Sequence, residues 1–244
     1  MREVSTPIRI VSFDFGGVFP MGKRKYNYEE ALYKSIRKIS ERNIDKKEVY
    51  EMFNKFIEHD SKERIPHKSE KLIPYLASYL KKHDEDNIQT SKIVLNALLD
   101  KNTIYPLTQD IESIFKYLAA HEIKIALISD SIFPTIMRRI ILQNWGLLQY
   151  FDLILTSQEH GRKSGLKIFK KLINHFNAKP GEILHIGDKL SNDIIPAKKI
   201  GLQTCLILNG KLNEDINSKV QPDFIIDNLR EIKQIIAKKG PSSV

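Results

Sequence analysis

Hydrophobic residues follow two different patterns along this chain. Ile8 to Phe13 is apolar apart from Arg9 and Ser12, and a run so short and apolar predicts a buried strand. It stops at Asp14, with Gly16 and Gly17 just beyond. From Tyr26 to about Leu99 the apolar positions fall at helical spacing instead. Ala31, Leu32, Ser35, Ile36 and Ile39 mark one face, Val49, Met52, Phe53 and Phe56 a second, and Leu72, Tyr75, Leu76, Tyr79 and Leu80 a third. This block predicts an all-helical unit.

Beyond Pro106 helix and strand alternate. A helix with the stripe Ile111, Ile114, Phe115 and Leu118, N-capped by Thr108, precedes a strand at Ile123 to Ile128. A helix from about Pro134 to Gln143 leads to a strand at Leu153 to Leu155, and a helix carrying Ile168, Phe169, Leu172 and Phe176 leads to a strand at Ile183 to Ile186. A helix ending at Ile200, strands at Thr204 to Leu208 and Phe224 to Ile226, and a helix through Ile236 complete the series. Apolar strands alternating with helices predict an α/β fold, a doubly wound parallel sheet covered on both faces. The helical block, residues 21–104, then interrupts a core made of 1–20 and 105–244.

Composition narrows this picture only a little. The 244 residues are 41% hydrophobic and 28% charged, which is ordinary for a globular protein. No apolar run is long enough to span a membrane, and Met1 to Arg9 lacks the features of a secretory signal, so a cytoplasmic protein without membrane partners is expected. The single Cys205 lies in an apolar run and reads as a small buried hydrophobe. The net charge of +9 is spread along the chain: residues 21–104 hold 18 basic against 14 acidic side chains, and 105–244 hold 19 against 14. With no basic tail and no nucleic-acid motif, the charge suits steering of a small anionic substrate better than nucleic-acid binding.

In an open parallel sheet, ligands bind beyond the carboxyl ends of the strands. Asp14 follows the first strand, Ser129 and Asp130 the second, and Asp188 the strand containing His185 and Ile186, while Lys163 precedes the helix that starts near Leu166. Singly, each has a structural explanation as a turn residue, a helix cap or a surface charge. Together they suit phosphoryl transfer, with carboxylates for a hard cation and a hydroxyl and an ammonium for a phosphoryl group.

The ordered motifs resemble those of the haloacid dehalogenase superfamily of hydrolases. They read Phe13-Asp14-Phe15-Gly16-Gly17-Val18; the strand Ile125 to Ser129; Gly161-Arg162-Lys163, preceded by Gly146-Leu147, Tyr150-Phe151-Asp152 and Ser157; and Gly187-Asp188 with Asn192-Asp193, followed by Ala197 and Gly201. The resemblance implies a Rossmann-like catalytic core with a helical cap inserted after the first motif. It implies a magnesium-dependent phosphatase in which Asp14 is the nucleophile and Ser129 and Lys163, beside Asp130, hold the phosphoryl group of a small phosphorylated substrate. Asp14, Asp188 and the Gly16 carbonyl would ligate Mg2+, with Asp193 in support, directly or through water.

Gly16 departs from a common pattern. Many phosphatases of this superfamily carry an acid there that serves as proton donor, although some that resemble sugar-phosphate phosphatases have glycine. The motif-three loop also departs, reading Lys163-Ser164-Gly165-Leu166 where a Pro-Asp-Pro run is common. His59, His67 and His160 are alternative proton donors, though nothing in their spacing aims them at Asp14. Two other readings stay open: displacement of halide from a haloacid, which needs no cation, and a weakened enzyme retained as a binding protein. Phe19 and Met21 are expected at a hinge or entrance, and Trp145 and Tyr150 in the core near the third strand.

Overall fold

The six strands β1 (Ile10–Phe13), β2 (Lys124–Ser129), β3 (Leu153–Thr156), β4 (Ile183–Gly187), β5 (Gln203–Ile207) and β6 (Phe224–Ile226) form one sheet. Its order is β3-β2-β1-β4-β5-β6, and every pairing is parallel. The structure is a computed structural model that describes residues 6–23, 25, 27–39, 43–63, 78, 87–131, 135–210 and 220–241. β1 pairs with β2 on one side and β4 on the other, with Phe13 level with both Leu127 and Ile186. The strand order reverses here, so the crevice beyond these three strand ends is the switch point at which open sheets bind ligands.

Alternate residues of the strands feed two cores, as the doubly wound expectation requires. Val11, Phe13, Leu127 and Ile186 join Ile114, Phe115 and Leu118 from the helix Glu112–Ala120 and Ile232, Ile235 and Ile236 from the helix Ile232–Lys239. On the other face Ile10, Ala126, Ile128 and Ile183 pack against Ile168, Phe169 and Leu172 from the helix Lys167–Phe176, and against Ala197. Phe13, Phe115 and Phe169 are fully buried, and each contributes about 1.5–3 kcal/mol of transfer free energy.

Between β1 and the Glu112 helix lie α1 (Tyr28–Ile39), α2 (Lys46–Glu63) and α3 (Asn87–Leu98). They have a hydrophobic cluster of their own, in which Leu32 and Ile36 of α1 meet Val49, Met52 and Phe53 of α2 and Ile93, Val94 and Ala97 of α3. The first two predicted faces are present. The third, 72–80, lies outside the described residues, as does the Phe56 side chain. The chain leaves and re-enters the sheet region through one antiparallel crossing: Met21 bridges Leu107, Gly22 N donates to Pro106 O (2.8 Å) and Thr108 N to Pro20 O (2.8 Å).

One local expectation is corrected. Thr108 is not the N-cap of the helix at 112–120. Its hydroxyl donates to Pro20 O (3.0 Å), and Asp110 instead accepts from Glu112 N (3.0 Å). The crossing strands claim Thr108 before the helix begins. Phe19, expected to pack at a hinge or entrance, is buried against Phe13, Phe15, Phe115 and Trp145, because the turn after β1 folds back onto the core. Met21 does lie at the crossing. Trp145 and Tyr150 pack against the main core as expected. No helix among the described residues is long and apolar enough to cross a membrane.

Candidate active site

Asp14 is the first residue past β1, and its backbone N–H donates to Ile186 O (2.8 Å), which pins it beside the end of β4. The residue is buried, 7% exposed, with Oδ1 accepting from Lys163 Nζ (2.5 Å) and Oδ2 left on the side of Gly16. Lys163 opens a single 3-10 turn (Lys163–Gly165) and is only 2% exposed. A buried ammonium requires anionic partners, and Lys163 has two, Asp14 and Asp193. Ser129 ends β2 next door and is likewise buried.

Asp188 follows β4, and Asp193 sits on the π-helical turn Leu190–Ile194 that comes after it. One carboxylate oxygen from each of Asp14, Asp188 and Asp193 can be chosen so that all three lie within 4.8 Å of one another. Two glycines make this approach possible. A Cβ on Gly17, whose φ is +73°, would lie 2.0 Å from Asp188 Oδ2, and one on Gly187 would lie 2.2 Å from Asp193 Cβ. Both positions therefore exclude a side chain. Gly16 is different: a Cβ there would meet only Asp14 Oδ2, at 3.8 Å.

The electrostatics follow from burial and from Lys163. Burial pushes the Asp14 carboxyl up, against the pull of Lys163, to about 6. Burial would raise Asp193 too, but the neighbouring His185 ring and the Lys163 ammonium outweigh it and hold that carboxyl below its ordinary value. Burial alone would lower Lys163, yet its two carboxylates hold it above the usual ammonium range. Three carboxylates facing one ammonium leave a negative balance in a site sheltered from water. Such a donor set suits a hard divalent cation, because all its ligands are oxygens.

The sequence-predicted residues Asp14, Ser129, Lys163, Asp188 and Asp193 thus lie together. Asp130 is exposed, and its carboxylate accepts from Lys163 N (3.2 Å), bracing the turn that presents the lysine. Both Asp193 oxygens are engaged, one by Lys163 Nζ and the other by Lys189 N at 3.0 Å. His160 is held by Lys171 Nζ (3.2 Å) and faces Glu159. His67 and the His59 side chain lie outside the described residues.

Sequence reading missed two features. One is a buried support: Ser12 Oγ hydrogen-bonds His185 Nδ1 (2.9 Å), and His185 Nε2 lies 3.9 Å behind Asp193 Oδ1. Burial lowers the His185 pKa. The other is Arg138, on the helix Thr135–Asn144, whose Nε donates to Ser129 Oγ (3.3 Å) and whose guanidinium lies 4.0 Å over the Phe15 ring. Polar residues inside apolar strands, Ser12 and His185, were the available signal for the first. The pair Arg138-Arg139 set between the buried Met137 and Ile141 was the signal for the second.

The sequence pattern of the haloacid dehalogenase-like hydrolases matches residues 25–207, three quarters of the chain. This chain belongs to that family. The matched stretch contains Ser129, Lys163, Asp188 and Asp193 and begins after Asp14, whose place rests on the geometry above. Among named relatives, glyceraldehyde 3-phosphate phosphatase of Methanocaldococcus jannaschii is 31% identical over 80% of this chain and 82% of its own. Of solved structures, 2-haloacid dehalogenase from Pseudomonas syringae pv. Tomato superposes with a TM-score of 0.71 at 17% identity, covering 95% of this chain and 99% of that one. A phosphatase of the family from Thermococcus onnurineus gives 0.60 at 23% identity, covering 96% and 100%. At these identities both likenesses speak for the shared fold, which serves dehalogenases and phosphatases alike.

Proposed function

We propose that this hydrolase is a magnesium-dependent phosphatase acting on a small phosphorylated metabolite of the sugar-phosphate kind, through an aspartyl-phosphate on Asp14. The observation that carries the reading is Asp14 itself, buried at the switch point, with one oxygen on Lys163 and two more carboxylates within reach of a shared cation. The substrate class rests on the relative from Methanocaldococcus jannaschii.

In this reading Asp14 Oδ2 forms a bond to phosphorus as the bond from phosphorus to the leaving oxygen breaks. Lys163 holds Oδ1 and aims the carboxylate, while the Ser129 hydroxyl holds the phosphoryl group. Because Gly16 carries no acid, the leaving oxygen takes its proton from water. A second water, giving a proton to the hydroxide left by the first, then attacks phosphorus as its bond to Asp14 Oδ2 breaks, releasing inorganic phosphate and restoring Asp14. Asp14, Asp188 and the Gly16 carbonyl would hold the magnesium ion, and the engagement of both Asp193 oxygens favours its contact through water. When bound, the ion supplies the positive charge that lets an anionic carboxylate approach an anionic ester. Halide displacement needs no cation and would leave Asp188 and the Gly16 carbonyl without a metal-binding role.

We take residues 21–104 as a cap over a core of 1–20 and 105–244. The separate hydrophobic cluster of α1, α2 and α3 and the single antiparallel crossing at Met21 and Leu107 support this division. A cap so placed would exclude water and select the leaving group. We place the protein in the cytoplasm.

Release of phosphate from para-nitrophenyl phosphate tests the mechanism. Wild type with magnesium should turn over, while Asp14→Asn and a chelated sample should both fall to background. Metal-independent turnover retained by Asp14→Asn would overturn the assignment of the nucleophile.

A further inference from the structure

A phosphate monoester brings up to two negative charges to a site whose one buried ammonium is already spent. Lys163 is 2% exposed, and its Nζ donates to both Asp14 and Asp193. Neutralising the nucleophile leaves little of its charge for the substrate.

Arg138 lies beside Ser129. Its Nε donates to Ser129 Oγ (3.3 Å), and its planar head rests on the Phe15 ring, 4.0 Å from the centroid. Phe15, next to the nucleophile, is itself stacked on Trp145 at 5.4 Å with an interplanar angle of 3°. These contacts fix the guanidinium, and none of them is anionic. Among the described residues no carboxylate forms an ion pair with Arg138, although it is partly buried. Burial works against its charge, which the more distant Tyr28 and Asp14 favour. A sheltered cation ordinarily has an anionic partner.

The direction of the Ser129 contact matters. Because Oγ accepts from Arg138 Nε, the hydroxyl proton is free to point elsewhere, and the two terminal nitrogens of the fork have no hydrogen-bond acceptor among the described residues. A planar guanidinium beside a donating hydroxyl matches a tetrahedral oxyanion, which it can grip with two parallel hydrogen bonds.

We propose that Arg138 is a substrate-binding residue that, with Ser129, holds the non-bridging oxygens of the phosphoryl group and orients the Ser129 hydroxyl toward them. This rests on the phosphatase reading and adds to it a ligand class: a dianionic tetrahedral oxyanion, with the product phosphate among its members.

Trp145 is the only tryptophan of the chain and stacks on the ring that carries Arg138, so its fluorescence should report occupancy. The experiment titrates the full-length protein with inorganic phosphate in the presence of magnesium and measures kcat and KM for para-nitrophenyl phosphate. Wild type, Arg138→Gln, Arg138→Lys and Arg138→Ala are compared. Loss of a charge-assisted contact predicts phosphate binding weaker by about 10–100-fold in Arg138→Gln, a parallel rise in KM, and a smaller change in kcat. Arg138→Lys should recover part of the affinity, and guanidinium ion below denaturing concentrations should partly rescue Arg138→Ala. Loss of packing alone would produce neither recovery.

Phosphate bound as tightly by a folded Arg138→Gln as by wild type would overturn the proposal. So would a defect confined to esters with charged leaving groups, since Arg138 would then serve that side of the substrate. If Arg138→Gln does not fold, Arg138→Lys decides by the same comparison. A wild type that neither hydrolyses the ester nor binds phosphate would sink the phosphatase reading and this proposal with it. A wild type that does both while the variants match it would sink the proposal alone.

Discussion

Replacing Gly16 by aspartate should give this site the proton donor it lacks. A Cβ at residue 16 meets a single neighbour, Asp14 Oδ2, at an ordinary contact distance of 3.8 Å, and the glycine is not in the left-handed region. The backbone therefore accepts the side chain without strain. Oδ2 is also the oxygen that Lys163 leaves free, so the new carboxyl stands beside the atom proposed to receive the phosphoryl group. General acid catalysis is worth about 10²- to 10⁴-fold where the leaving group needs a proton. A sugar alkoxide needs one, whereas para-nitrophenolate leaves almost unaided. Gly16→Asp should therefore raise kcat for an alkyl phosphate such as glycerol phosphate by about 10²-fold, taking the lower end of that range because the acid is not otherwise positioned. The rate with para-nitrophenyl phosphate should change by less than about threefold, since its leaving group draws little on an acid. The second carboxylate also raises the pKa of Asp14 further, so the acid limb of the profile should move to higher pH. The assay is the ratio of the two kcat values in wild type and variant at saturating magnesium. An unchanged ratio in a folded, magnesium-binding variant would refute the idea that Gly16 marks the missing acid.

Two further predictions concern the carboxylate cluster. Gly17→Ala places a Cβ 2.0 Å from Asp188 Oδ2 at a φ of +73°, so it should cost about 1–2 kcal/mol of stability and weaken magnesium binding by about 10–100-fold. Gly146→Ala, with a φ of +70° and no atom within 4 Å, shares the strain without the clash and should lose stability alone in melts run beside magnesium titrations. The Asp14 carboxyl titrates at about 6 when folded, above its ordinary 3.8. Between those values the folded state binds more protons than the unfolded, so this group's contribution to stability falls as pH rises from about 4 to 6. Asp193, depressed by its partners, works the other way, and its contribution is lost as pH falls below the ordinary carboxyl range. Asp14→Asn removes only the first effect, and in urea titrations of chelated protein it should gain on wild type between pH 4 and 7. A difference between them that does not vary with pH would contradict the raised value.

The strands were legible because short apolar runs bounded by glycine, aspartate or serine have few other readings. Val11 and Phe13, or Leu127 and Ile186, sit in the core where such runs predict them. The helical block was legible in kind, since Leu32, Ile36, Val49, Met52 and Phe53 keep helical spacing and meet in one cluster. Thr108 misled because a threonine before a helix is a good cap until a neighbouring strand takes its hydroxyl, and that strand is remote in sequence.

By itself the sequence determined the order of elements, the helical block that follows β1 and the residue types at the strand ends. These are local properties, set by side-chain periodicity and by what can terminate a strand. Only the tertiary structure decided which of those ends share a crevice and who neutralises whom. Lys163 reaches Asp14 across 149 positions and Asp193 across 30, and Arg138 reaches Phe15 through a helix that begins beyond a different strand. Contacts of that kind are fixed by sheet order and register. Those follow from burying both faces of the sheet at once, a condition on the whole chain that no single stretch of it records.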